Sequence, residues 1–148
     1  CLPASALSDL DIVIGSIHSA FSQEGDVMTR RIISAIENEH IDILGHPTGR
    51  LLGQRDAYAV DMQRVTEVAA THSTALECNA SPFRMDLDDL HIREAVKSGV
   101  TISLGTDAHD SAELANLRYG LGLCRRGWAT PADVLNTFTV KEILEWAS

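Results

Sequence analysis

The chain holds 148 residues, 45% of them apolar and 22% charged, which places it among packed globular domains and excludes disordered, collagen-like and low-complexity sequence. Lys and Arg number 12 against 21 Asp and Glu, so the net charge is −9. That balance excludes coating a duplex by counterion release, and an aromatic content of 5% argues against an extended stacking platform for single strands. No apolar run approaches the roughly 18 residues that a membrane span needs, so no membrane partner is expected.

Strand and helix patterns alternate along the chain. Asp11 to His18 (DIVIGSIH) reads as a buried strand, with Ile12, Val13, Ile14 and Ile17. Asp26 to about Asn38 reads as a helix, with Met28, Ile32, Ala35, Ile36 and Glu39 at near-helical steps. Ile41 to Pro47 is a second short apolar strand. A second helix is predicted from Arg55 to about His72, with Ala57, Val60, Val65, Val68 and Ala69 inward. Ala75 to Ala80 is a third strand. Asp88 or Asp89 caps a helix that runs to Ser98, with Gly99 placed to end it. Val100 to His109 holds the fourth strand and its exit loop, and Ser111 to about Leu123 a further helix. Thr130 to Asp133 and Thr139 to Glu142 both carry capping-box signals. Strands separated by helices imply parallel pairing, and so an α/β barrel or an open doubly wound sheet in one domain over residues 1–148.

The polar residues fall where the strands end. His18 closes the first, His46 the second, Glu77 and Asn79 the third, Asp107 and His109 the fourth. In parallel α/β folds that edge is where ligands bind. His46 sits between Gly45 and Pro47, on a stiff turn. In extended chain Asp107 and His109 would point to one side and face a common cavity. Mixed imidazole and carboxylate donors suit zinc, manganese or iron and not calcium. Such ions would acidify a bound water and offset the charge of a phosphoester in its transition state. Arg50 and Arg84 lie in the loops after the second and third strands and can each hold a phosphate oxygen. Gly45, Gly49 and Gly53 do not make a Walker or Rossmann loop.

The other candidates have plainer readings. His40, His72 and His91 belong to helix ends or surfaces. Cys78 alternates with Glu77 and Asn79, so it points into the helix layer as a buried thiol. Trp128 and Trp146 read as packing residues. Cys1, Cys78 and Cys124 are odd in number and lack redox or zinc spacing, so no disulfide framework is expected and a reducing cytoplasm fits best.

The stretches IVIGSIHSAF, DILGHPTGRLL, ALECNASPFRMDLDD and ISLGTDAHDSAEL resemble the polymerase-and-histidinol-phosphatase (PHP) domain superfamily. Within it they are most similar to the C-terminal part of the PHP domain of bacterial family X DNA polymerases. The resemblance runs from about Asp11 to Leu123. It implies the C-terminal part of a distorted, seven-stranded TIM-like (β/α) barrel, with up to three divalent metal ions, manganese or zinc, in a cleft at the strand C-termini. It implies phosphoester hydrolysis, as a 3′–5′ exonuclease or 3′-end-processing activity on DNA in repair, with a covalently linked polymerase domain. Carried over by motif, His18, His46, Asp107 and His109 would be metal ligands, Asp107 and His109 catalytic, and Arg50 and Arg84 substrate contacts. The family's first half carries a His-x-His pair, a further acid or His, another His and a bridging Glu, none of which has a counterpart before Asp11. The chain thus reads as the second half of a barrel, whose open strand edge would invite a homodimer. Two other readings follow from the same resemblance. One is a non-catalytic PHP domain that supports a polymerase, and the other a free-standing histidinol-phosphatase-like phosphoesterase.

Overall fold

The computed structural model describes residues 3–147, so Cys1 lies outside the described residues. Four short strands, β1 (Ile14–Gly15), β2 (Ile43–Leu44), β3 (Ala75–Asn79) and β4 (Ile102–Gly105), form one sheet in the order β1-β2-β3-β4. Every neighbouring pair is parallel. Helices lie before, between and after them: α1 (Ala4–Leu7), α2 (Gly25–Ile36), α3 (Met62–His72), α4 (Asp89–Lys97), α5 (Leu117–Arg126) and α6 (Val140–Trp146). No helix among the described residues is long and apolar enough to cross a membrane.

The register sorts the strand residues onto two faces. Leu44 pairs with Leu76 and Leu76 with Ile102, while Cys78 pairs with Leu104. All five belong to the main core, together with Met28, Ile32 and Ile36 of α2, Val65 and Ala69 of α3, Ile92 and Ala95 of α4, and Leu123 of α5. The opposite face carries Ile43, Ala75, Glu77 and Asn79. Its lower part is covered by Leu135, with Ile12, Phe138, Ile143 and Trp146 against it. The upper part, at the strand C-termini, is left for polar groups.

Several boundaries depart from the periodicity. The helix expected from Arg55 begins at Met62, where the Asp61 carboxylate accepts the Arg64 N–H at 3.0 Å. Residues 55–60 take an extended path because tertiary bonds hold them there. The Tyr58 hydroxyl donates to Pro47 O, the Arg55 guanidinium donates to Gly49 O, and that guanidinium lies 4.0 Å from the Phe21 ring. The helix expected over Ser111 to Leu123 is two pieces, a 3₁₀ segment Ala112–Asn116 and then α5. The first strand is two residues long, and Ile14, expected inside, is 59% exposed. Trp128, expected to pack, is 67% exposed beneath the Arg93 guanidinium.

Both capping boxes form, at Thr130 and at Thr139. Asp88 caps α4, and Gly99 follows it with φ +80°. The β4 edge of the sheet is covered. Val134 bridges to Ile102, and the Asn136 side chain both accepts from Leu104 N–H and donates to Leu104 O. Cys78 is buried in the helix layer, with its sulfur 3.8 Å from Leu87 O and Gly120 O.

Candidate functional site

The strand C-termini present four polar side chains from four successive connections: His18 after β1, His46 after β2, Arg84 after β3 and Asp107 after β4. The His18 and His46 rings lie 5.3 Å apart, tilted by 43°. Ser16 Oγ stands 3.0 Å from His18 Nε2. His46 is buried, and its Nδ1 has no hydrogen-bond partner. Burial, chiefly, lowers the pKa of His46; the nearby Arg84 and His18 charges act the same way, and Asp107 opposes them. The shift favours the neutral form of this imidazole.

Arg84 spans from the third connection to the fourth. Its Nε donates to Asp107 Oδ2 at 3.1 Å, while its buried Nη1 has no acceptor. A buried guanidinium N–H without an acceptor is a place where an anion's oxygen would be welcome. Arg50 is differently engaged. It donates to Arg84 O at 2.8 Å, to Met85 O, and to Asp88 Oδ2 at 3.3 Å, and so braces the loop that carries Arg84.

Two carboxylates hold the turn under His46: Glu77, already expected at the end of the third strand, and Asp86, which was not singled out. Glu77 Oε2 accepts the His46 N–H at 2.6 Å and the Asn79 amide at 3.3 Å. Asp86, fully buried, accepts the Thr48 and Gly49 N–H groups at 3.1 and 2.9 Å. Burial raises the pKa of both acids, and these hydrogen bonds offset only part of that rise. His46 has φ +31°, an uncommon backbone state for a residue with a side chain, and this clamp maintains it. Glycines make room for the Glu77 carboxylate: a Cβ on Gly105 would run into Glu77 Oε1, and one on Gly45 would touch Oε2. The sequence signal was present in the alternation of Glu77 with Cys78, which put the acid on the site's face. Asp86 gave no such signal, because its partner amides lie 37 and 38 residues away.

Asp107 and His109 do not follow the extended-chain expectation. Strand β4 ends at Gly105, and Asp107 has φ +54°, so the alternation rule no longer applies. The Asp107 carboxylate turns to Arg84. His109 Nδ1 sits 2.7 Å from Asp107 O, and its N–H donates to Glu113 Oε2.

The donor types suit a transition metal, and the partnerless His46 Nδ1 fits a ligand. Their number does not: among the described residues no group of three or more His, Cys, Asp or Glu side chains is placed to hold a metal ion.

The arrangement defines a parallel α/β domain whose strand C-termini are lined by imidazole, guanidinium and carboxylate groups. No protein-family model matches the chain. It is similar to the DNA polymerase/3′-5′ exonuclease PolX of Bacillus subtilis (strain 168), at 42% identity over 137 residues, covering 93% of this chain and 24% of that protein. It is also similar to a probable phosphatase of Thermoanaerobacter sp. (strain X514), at 32% identity, covering 97% of this chain and 61% of the relative. A probable phosphatase of Caldicellulosiruptor saccharolyticus is 35% identical over 122 residues, 77% of this chain and 48% of that one. The chain thus spans about a quarter of the exonuclease and about half to three fifths of these phosphatases. These relatives support a PHP-like domain.

Proposed function

We propose that this chain is the C-terminal part of a PHP-like phosphoesterase domain, and that in its parent protein the cleft at the strand C-termini hydrolyses the phosphoester at a DNA 3′ end. The observation that carries this reading is the meeting of His18, His46, Arg84 and Asp107 at four strand ends, with His46 Nδ1 and Arg84 Nη1 both buried and unpartnered. Similarity to a protein named as a 3′–5′ exonuclease and to probable phosphatases supports the reaction class.

In this scheme Arg84 Nη1 takes a non-bridging phosphoryl oxygen. Asp107 holds the guanidinium through Nε and so fixes its angle. Neutral His46 stands over the clamped turn as an acceptor, with His18 beside it. Manganese or zinc, held by His18, His46, Asp107 and His109 together with donors from a preceding half of the domain, would acidify a water and offset phosphate charge. The predicted outcome in the full-length protein is that His46→Ala and Asp107→Ala each abolish manganese-dependent hydrolysis of a 3′-labelled oligonucleotide, while nucleotide insertion by a linked polymerase domain stays nearly intact. Unchanged hydrolysis in these variants would reject the proposal.

One observation favours a second reading. The absence of any three-donor group among the described residues fits a non-catalytic domain that supports its neighbour. Calorimetric titration of the full-length protein with manganese separates the two, since the supporting role predicts no His46-dependent binding.

A further inference from the structure

Two thiols meet in the helix layer, on the face of β3 turned away from the cleft. Cys78 and Cys124 are both free and both buried in the main core. The Cys78 sulfur lies 3.8 Å from Gly120 O. Cys124 stands one turn further along α5 on the same inward face, which buries Gly120, Leu123 and Cys124. The two thiols are near enough to share a hydrogen bond. Gly120 allows this approach of α5 to the sheet, since a Cβ there would run into Leu104 Cδ1 and Ala80 Cβ. The shared bond divides the pair unevenly. It lowers the pKa of Cys124, against the effect of burial, and together with burial raises that of Cys78. Cys124 is the sulfur that ionises first, and the thiolate is the attacking form in disulfide exchange.

Burial would shield such a pair if α5 were firm, but this helix is weakly built. It has 10 residues, no side-chain N-cap, and a 3₁₀ segment before it. Two of its residues, Gly120 and Gly122, are of the poorest helix-forming type after proline. Close packing accounts for Gly120. It does not account for Gly122, because nothing stands within 4 Å of where its Cβ would be, and an alanine would fit there. What Gly122 does is soften the helix, so that α5 opens more readily than the elements it covers. Opening uncovers Cys124.

We propose that Cys78 and Cys124 form a reversible oxidation site, exposed to a small-molecule disulfide by opening of α5 and closing into a disulfide bond that ties α5 to β3. In the first step the Cys124 thiolate attacks one sulfur of the small disulfide, whose S–S bond breaks and releases one thiolate. In the second, Cys78 gives up its proton and attacks the Cys124 sulfur, which forms the Cys78–Cys124 bond and expels the second thiolate. The two cysteines lose two electrons; the small disulfide gains them and, with two protons, leaves as two thiols. A reducing dithiol reverses the exchange. The site is independent of the reaction carried out at the cleft.

The test incubates the folded Cys1→Ser chain, which retains only this pair of thiols, with excess oxidised glutathione. Both titratable thiols are expected to disappear while the chain stays monomeric on a non-reducing gel. Mass spectrometry of a tryptic digest is expected to show peptides 65–84 and 119–125 joined through Cys78 and Cys124, and dithiothreitol should separate them. Adding Gly122→Ala to this chain firms α5 and is expected to slow the loss of thiols about fivefold, the factor by which alanine favours a helix over glycine. Two thiols that persist in the folded chain, glutathione adducts that never resolve into the cross-link, or equal rates with and without Gly122→Ala would overturn the proposal.

Discussion

The turn that carries His46 and the loop that carries Asp107 lie at the same end of the sheet but are held in opposite ways. Residues 46–49 are buried, and their amides bond to Glu77 and Asp86 from 31 to 38 residues away. Residues 107–113 are largely exposed, and their loop bonds reach four residues or fewer: His109 to Asp107 and Glu113, and Ala112 and Glu113 to Asp110. Only the Asp107 carboxylate reaches out, to Arg84. One side of the cleft is thus preorganised by the fold. The other is a local structure that a ligand can reshape at small energetic cost.

The sharpest way to break this contrast is Asp86→Ala. It leaves the Thr48 N–H buried without an acceptor, at about 1–3 kcal/mol, while the Gly49 N–H keeps its bond to His46 O. A loss of about 1–3 kcal/mol in urea unfolding is expected, whereas Asp110→Ala in the exposed loop should stay within about 0.5 kcal/mol. Equal losses at the two positions would show that the two sides are held alike.

Gly49→Ala should come next. Gly49 has φ +64°, and a Cβ there would enter the Tyr58 ring. Left-handed strain alone costs about 1–3 kcal/mol, so the thermal midpoint should fall by several degrees. Tyr58→Phe, which removes only the bond to Pro47 O, should cost less, about 1 kcal/mol.

Amide exchange sharpens the contrast without mutation. The Thr48 and Gly49 amides should exchange near the rate set by global unfolding, and those of Ala112 and Glu113 orders of magnitude faster. Comparable protection would contradict the assignment of rigidity.

The smallest expected effect is a pH dependence at the start of α4. The hydrogen bond between His91 and Asp88 raises the pKa of the imidazole and lowers that of the carboxylate. The raised His91 pKa contributes stability that is full below the ordinary value of 6.5 and fades as pH rises through the folded value. The lowered Asp88 pKa contributes stability that is full above 3.8 and fades as pH falls through the folded value. His91→Asn should therefore lower the urea midpoint more near pH 5 than near pH 8. The effect is modest because the His91 side chain is 40% exposed and screened. An effect of equal size at both pH values would remove the ion pair as its cause.

Local chemistry made much of the architecture readable beforehand. The Asp88 cap, both capping boxes and Gly99 all depend on residues within a turn or two of each other and appear where expected; of the α2 stripe, Met28, Ile32 and Ile36 are buried, while Glu39 lies beyond the helix and is exposed. The order of strands and helices was legible for the same reason, as was the strand-end position of His18, His46 and Asp107. Where long-range bonds overrode local preference, the reading failed. Residues 55–60 have a helical pattern, but Tyr58 and Arg55 tie them to the neighbouring turn.

The sequence by itself determined the alternation of elements and the identity of the polar groups at the strand ends, because periodicity and capping are short-range effects. Only the tertiary structure decided how those groups are used. It joined Arg84 to Asp107 and Arg50 to the loop behind them, and it placed Glu77 and Asp86 beneath His46. Those pairings join residues from 23 to 38 apart in the chain, and no local rule of spacing specifies which distant donor a buried carboxylate will meet.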